Sequence, residues 1–229
     1  SKDGFKLGSD TTYQYSNQTV SGKWKHIFGN KFYGILTGSY SGYDYNVSSE
    51  VNPINSFQLS YSIQQANIKT DFNYFLNSKH TLNFGASTIH YRMSPGDFQT
   101  YGTASLVVPD VLQNEQGKES AIYVGDNYEI NHRFSLYACL RYSLFQNLGP
   151  KEIFTYDPTS PKNVDSILDT AQIASGQKVV NYNGPEYRFS ARYTLTGSSS
   201  LKFGYNKMRQ YLQMLSNTAA ASPIDLWKL

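Results

Sequence analysis

The 229-residue chain is long enough for a substantial core in one all-β unit. Its net charge of +3 (20 Lys and Arg against 17 Asp and Glu), with no extended basic run, excludes a nucleic-acid patch. Charged residues make up 16% and aromatics 15%, with 20 Tyr and 13 Phe, whereas a water-soluble domain has about a quarter of its residues charged and an aliphatic core. Cys139 is the sole cysteine, which rules out an internal disulfide or a cysteine zinc cluster, and no stretch approaches the ~18 consecutive apolar residues of a membrane helix.

The opening "SKDGFKLGSD" lacks the apolar core of a secretory signal and is read as mature, trimmed or cut from something longer. Strand-like runs then come in pairs. Thr19 to Phe28 turns through Gly29-Asn30 into Lys31 to Asn46, and Phe57 to Leu76 turns through "NSKH" into Thr81 to Met93. Ser120 to Ile130 turns through Asn131-His132 into Arg133 to Phe145, and Tyr187 to Leu195 turns through "TGSSS" into Leu201 to Arg209. Gly, Asn and Ser tolerate the backbone of tight hairpin turns, so four hairpins are expected. The other connections, 47–56, 94–119, 146–186 and 210–229, are long and polar. Long loops at every second connection place them all at one end of an up-and-down sheet.

The stretch "INHRFSLYACLRYSLF" shows the face pattern most cleanly. Phe134, Leu136, Ala138, Leu140, Tyr142 and Leu144 fall on one side; Arg133, Ser135, Tyr137, Cys139, Arg141 and Ser143 fall on the other. A membrane-crossing strand needs ~9 to 11 residues, while globular strands centre on ~5 or 6. Runs of this length, with few Pro or Gly breaks to turn corners, do not suit a sandwich. The expectation is an all-β, antiparallel, up-and-down transmembrane β-barrel segment of about eight strands, with lipid on the greasy face, short periplasmic turns and long extracellular loops. Arg141, Arg188 and Arg192 alternate with apolar neighbours and are expected to face the lumen.

Two irregularities remain. In the third run Phe57, Leu59, Tyr61 and Ile63 hold odd positions, but Ala66, Ile68, Phe72, Tyr74 and Leu76 hold even ones. Either a bulge near Gln64-Gln65 restores one lipid face, or the upper half stands above the membrane where alternation is not enforced. Gly34, Gly38 and Gly42 repeat every four residues, a helix-pairing spacing in apolar sequence, but "ILTGSYSGYDY" is too rich in Tyr and Ser for that. In a strand the three share a face and are expected to relieve crowding inside the barrel.

Catalysis has no support: there is no nucleophile elbow, phosphate-binding glycine loop or paired-carboxylate arrangement. His26, His80, His90 and His132 are dispersed, without metal spacing, and His80 and His132 read as surface turn residues. The loop carboxylates Asp97, Asp110, Asp157, Asp165 and Asp169 read as solvated. The sequons at Asn17 and Asn46 matter only in a eukaryotic secretory setting. No metal or cofactor is expected.

The final stretch carries Gln210-Tyr211, then Leu215-Ser216-Asn217, then Pro223, Asp225 and Trp227. In this it resembles the TonB-dependent receptors of Bacteroidetes outer membranes. "NIKTDFNYFLNSKHTLNFGAS", with Phe84-Gly85, and "AIYVGDNYEINHRFSLYACLRYSLF" are similar to earlier hairpins of that family. The resemblance covers the chain from about Thr19 onward. It departs at Pro185-Glu186-Tyr187-Arg188, where the family often reads Glu-Pro-Arg, and at Gln213, where it often has His.

The resemblance implies a non-enzymatic role: residues 1–229 form a single region of barrel wall, a central slice of a larger receptor for energised uptake of a scarce, bulky solute across the bacterial outer membrane. The implied partners are outer-membrane lipid, the plug of the same parent chain and the TonB complex, with room for a surface lipoprotein. If wall or loop touches ligand, Tyr211, Gln213, Asn217 and Trp227 of the final loop are the candidates, since carbohydrate or metal-chelate recognition favours flat rings and amides. Two rival readings are a complete small eight-stranded barrel with an adhesin or structural role, and a soluble carbohydrate-binding module.

Overall fold

A computed structural model describes residues 2–6, 11–215 and 226–228. The strands are β1 (Lys2–Lys6), β2 (Thr11–Gly29), β3 (Phe32–Ser49), β4 (Phe57–Phe75), β5 (His80–Thr100), β6 (Asp110–Val111), β7 (Glu115–Asn131) and β8 (Phe134–Leu148). They continue as β9 (Lys151–Tyr156), β10 (Ile167–Ile173), β11 (Lys178–Thr196), β12 (Ser199–Lys207), β13 (Gln213–Leu215) and β14 (Leu226–Lys228). One antiparallel sheet runs β1-β2-β3-β4-β5-β7-β8-β11-β12, with β6 attached to β5; β9 pairs β10, and β13 pairs β14. Eight long strands thus follow one another up and down, and the sheet is an open segment of barrel wall, not a closed ring.

All four expected hairpins form, between β2 and β3, β4 and β5, β7 and β8, and β11 and β12. Two of them turn on the same device. Asn77 Oδ1 accepts from the backbone N–H of Lys79 (2.8 Å) and His80 (3.0 Å), and Asn131 Oδ1 accepts from Arg133 (2.9 Å) and Phe134 (3.0 Å). An asparagine that hydrogen-bonds forward in this way holds a tight turn.

The strands run further than the alternation rule foresees. The segment 94–119, read as loop, is strand through Thr100 and again from Glu115. Within 146–186, β8 continues to Leu148, β9 and β10 make a hairpin of their own, and β11 begins at Lys178. Ladder hydrogen bonds need no apolar partner, so a strand continues where its side-chain pattern turns polar on both sides.

Register fixes which side chains share a face. The expected split of 133–145 holds: Leu140 is 53% exposed on one side, while Phe145 (1% exposed) and Ser143 lie buried on the other. Followed across the ladders, Leu140 lines up with Val124, Phe84, Phe72, Gly34 and His26. This apolar face carries a train of rings, Trp24, His26, Phe28, Phe32, Phe72 and Phe84, with successive centroids 4.5–5.7 Å apart. The opposite, polar face carries the lysine and arginine ion pairs.

Two expectations are corrected. Gly34, Gly38 and Gly42 share a face, but it is the apolar one: they pair with Phe72, Ile68 and Gln64, and the Phe72 ring lies over Gly34, within 2.9 Å of where a Cβ would stand. They leave room for outward rings rather than for the interior. His80 stands beside its turn, as expected, but is more than a surface turn residue: it begins β5, stacks on Tyr128 (4.2 Å, 8°) and places Nδ1 2.7 Å from Asp126 Oδ2.

The phase change in β4 also resolves. β3 and β4 pair from Phe57 to Tyr74 without a shift, so no bulge sits at Gln64-Gln65. The irregularity lies one strand over: Ser60 and Ser62 of β4 face Asp97 and Ser94, which puts the extra residue in β5. Phe57, Leu59, Tyr61 and Ile63 therefore point to the polar side, and Ala66, Ile68, Phe72 and Tyr74 to the apolar side.

Candidate functional site

The polar face of β4, β5, β7, β8 and β11 holds a cleft of about 430 Å³. At one wall Arg141 Nη1 donates to both carboxylate oxygens of Glu186 (2.9 Å each), and Nη2 donates to Glu119 Oε1 (2.8 Å). Register brings them together: Glu186 stands directly opposite Arg141 on β11, and Glu119 lies on β7 along the same face. A cross-strand pair of opposite charge is the natural unit of sheet recognition, and the forked guanidinium suits two carboxylates at once. Glu186 is only 3% exposed, so its carboxylate is desolvated, while the Arg141 side chain remains 24% exposed.

The other wall is held by Tyr123, whose hydroxyl donates to Asp71, which in turn pairs with Lys69 Nζ at 2.8 Å. Tyr123 and Asp71 belong to strands on either side of β5, and the ring crosses β5 at Gly85. A Cβ there would collide with the Thr70 carbonyl and stand 2.7 Å from the Tyr123 hydroxyl. Phe84-Gly85, singled out by resemblance, thus has a physical reason: the glycine lets a tyrosine lie flat across the strand. Asn83 also lines the cleft, and its Oδ1 accepts from Asn127 Nδ2 (2.8 Å).

Arg141, Arg188 and Arg192 share this face by register, opposite Glu186, Cys139 and Ser135 respectively. Arg141 is locked between its two acids. Arg188 reaches Met208 Sδ at 3.3 Å, and Arg192 lies nearer the short turns, in a second hollow with Glu129 and Lys202. The cleft thus offers fixed carboxylates, a lysine, an arginine, phenols and amides: a surface that hydrogen-bonds and ion-pairs, with no nucleophile–base pair. No metal-ligating cluster of three or more His, Cys, Asp or Glu occurs among the described residues.

The candidate loop residues are dispersed. Beyond β12 the chain folds back under the polar face. Tyr211 stacks on Phe145 (4.9 Å, 9°) and its hydroxyl sits 2.9 Å from Ser143 Oγ, while the Arg209 guanidinium lies on Gly184. Tyr211 therefore anchors the returning chain to the wall. Gln213 is exposed at the start of β13, Trp227 lies in β14 as the ladder partner of Met214, and Asn217 falls outside the described residues. Sequence reasoning passed over Glu119, Glu186, Tyr123, Asp71 and Lys69. Glu119 and Tyr123 carried a usable signal, since both share the odd parity of Arg141's side within its own hairpin.

No protein-family model matches the sequence, and no curated protein does. Solved structures do match. The copper transporter OprC superposes with a TM-score of 0.62 at 8% identity, over 93% of this chain and 33% of that one. The ferric citrate transporter FecA in unliganded form gives 0.56 at 12% identity, over 89% and 28%. The ferric preacinetobactin receptor BauA from Acinetobacter baumannii gives 0.55 at 9% identity, over 84% and 30%. The chain spans about a third of the length of these proteins, and at such identities the likeness is one of fold.

Proposed function

We propose that this chain is barrel wall of a TonB-dependent outer-membrane receptor of the Bacteroidetes type, which takes up a scarce, bulky solute of the siderophore, cobalamin or glycan class. The observation that carries this is the sidedness of the wall. On β3, apolar or glycine positions run on one face from Phe32 to Tyr40, and Asp44, Asn46 and Ser48 follow on the same face. Nine residues of strand match the ~9 to 11 that cross a bilayer, and the opposite face is polar, as the lumen of such a barrel requires. The shared fold with proteins named for copper, ferric citrate and ferric preacinetobactin supports an uptake role.

In this reading the short turns face the periplasm, and the segments joining β3 to β4, β5 to β7 and β8 to β11 stand outside the cell. The charged cleft borders the space filled by the plug of the parent chain; Arg188, Lys69 and the loop anchored by Tyr211 lie where plug or solute would pass. Tyr211, Gln213, Asn217 and Trp227 belong to the loop side of that path, with Tyr211 setting the loop's position. The parent chain would act with the TonB complex and leave its outer surface to a lipoprotein partner.

The test is genetic. A strain lacking the full-length gene is grown on one limiting solute at a time: ferric siderophore, cobalamin or polymeric glycan. Growth on one of them is expected to fail, and to fail equally when TonB is removed. Undiminished growth on all three, or a requirement indifferent to TonB, overturns the reading.

A further inference from the structure

Along β5 and β7 the outward face changes its chemistry in layers. On β5 it reads Leu82, Phe84, Ala86, Thr88, His90 and Arg92; on β7, from the level of Phe84 upward, it reads Val124, Ile122, Ser120 and Lys118. Register sets like against like. Ala86 faces Ile122, Thr88 faces Ser120, His90 faces Lys118, and Arg92 stands above them on the same side. The apolar layer lies open, with Ile122 66% and Val124 52% exposed. Over it the Thr88 and Ser120 hydroxyls meet at 3.2 Å, and over these stand the nitrogen-bearing side chains.

Arg92 and Lys118 are exposed, and among the described residues neither has an ion-pair partner. Their outward neighbours across the ladders are neutral amides, Gln64 and Gln116 beside Arg92 and Gln146 beside Lys118. Acids are near but otherwise directed. Glu119, next to Lys118 in the chain, turns to the polar face and holds Arg141. Asp44 lies two strands from β5, and Asp97 lies past the irregularity of β5, held by Gln99 Nε2 at 2.6 Å. Like charges gathered on one sheet face repel, and an anion shared between them reverses the sign of that interaction. Guanidinium and ammonium are the groups that hold phosphate oxygens.

We propose that this patch of β5 and β7 seats the phosphate of an anionic outer-leaflet lipid whose acyl chains lie on Ala86, Ile122 and the band beneath. Arg92 and Lys118 carry the charge, and His90 adds a ring N–H. The Thr88 and Ser120 hydroxyls stand where the phosphate is joined to its chains. The order of the layers selects a lipid-borne phosphate over a free one, since the cations stand directly over exposed apolar surface. This inference rests on the outer-membrane reading.

The full-length protein is placed in nanodiscs of phosphatidylcholine and phosphatidylglycerol in equal parts, and co-retained lipid is counted by native mass spectrometry. Phosphatidylglycerol is expected to be retained in preference. Arg92→Gln combined with Lys118→Gln, both exposed changes, should lower that retention about 25-fold, about fivefold for each cation. Lys162→Gln, the same loss of charge between β9 and β10, should leave it unchanged. Soluble glycerophosphoglycerol, the headgroup without its chains, should not displace the lipid at equal concentration. Equal retention of the two lipids, indifference to the double change, an equal loss with Lys162→Gln, or displacement by the soluble headgroup overturns the proposal. Heat-modifiable migration of the wild-type sample separates the two levels: a folded barrel without lipid preference defeats this inference alone, and no folded barrel defeats the receptor reading with it.

Discussion

The lower and upper halves of the wall are built from the same strands, yet they carry their oil on opposite sides. Below Gln64, β4 shows Ala66, Ile68, Phe72 and Tyr74 outward and Asn67, Lys69 and Asp71 inward. Above it, Gln58, Ser60 and Ser62 face outward, and Phe57, Leu59, Tyr61 and Ile63 face inward. The backbone does not change hand or skip a residue; the surroundings change. In the membrane reading proposed above, the outward side of the lower half meets hydrocarbon and its inward side meets water or plug. In the same reading the outward side of the upper half meets the hydrated outer surface; the inward side packs, with Tyr45, Val47 and Met93 buried there and β14 lying against β5.

The comparison breaks hardest at the inner face of the lower half. Arg141→Met leaves Glu186 buried beside Glu119 without a cation and is expected to destabilise the full-length barrel by about 3–5 kcal/mol. Denaturant unfolding from lipid measures it, and adding Glu186→Gln should recover most of the loss; a single variant as stable as wild type would show that Glu186 does not depend on Arg141 for its charge. One face over, the same substitution separates the halves directly. Ile68→Arg places a charge in the band and should cost about 2–4 kcal/mol, whereas Ser60→Arg, on the same strand and face, should cost about 0–1 kcal/mol. Equal costs would erase the boundary at Gln64.

Gly85→Val tests the strand crossing. The added side chain meets the Thr70 carbonyl and the Tyr123 ring, and overpacking of this kind costs about 1–3 kcal/mol; folding measurements with Tyr123→Ala as second change should show the loss partly relieved. The smallest effect is at Tyr45 of the upper half. Its hydroxyl is buried without a partner, and burial holds its phenol well above the ordinary tyrosine range, so it stays neutral. Tyr45→Phe should be neutral to about 1 kcal/mol stabilising, since an unpaired buried hydroxyl costs about that much.

Much of this architecture was legible in one dimension because its causes are local. Turn chemistry at Gly29-Asn30, Asn77, Asn131 and Gly197 marked the hairpins, and a period of two sorted Leu140 from Arg141 without knowledge of any neighbour. The reading failed where the cause lay across the sheet. The glycines of β3 were given the wrong face because parity alone does not say which side is out. Strand ends beyond Met93 and Phe145 escaped because ladder pairing leaves no mark on side chains that are polar on both faces.

The sequence by itself determined that the chain pairs as long antiparallel hairpins with one greasy and one polar side through the band, since turn residues and alternation act within a few residues of chain. Only the tertiary structure decided that Arg141 meets Glu186, 45 positions away, that Tyr123 crosses Gly85 to reach Asp71, and that Tyr211 is committed to Phe145 and Ser143. Those contacts depend on register between strands, and register is set by the whole ladder rather than by any stretch of it.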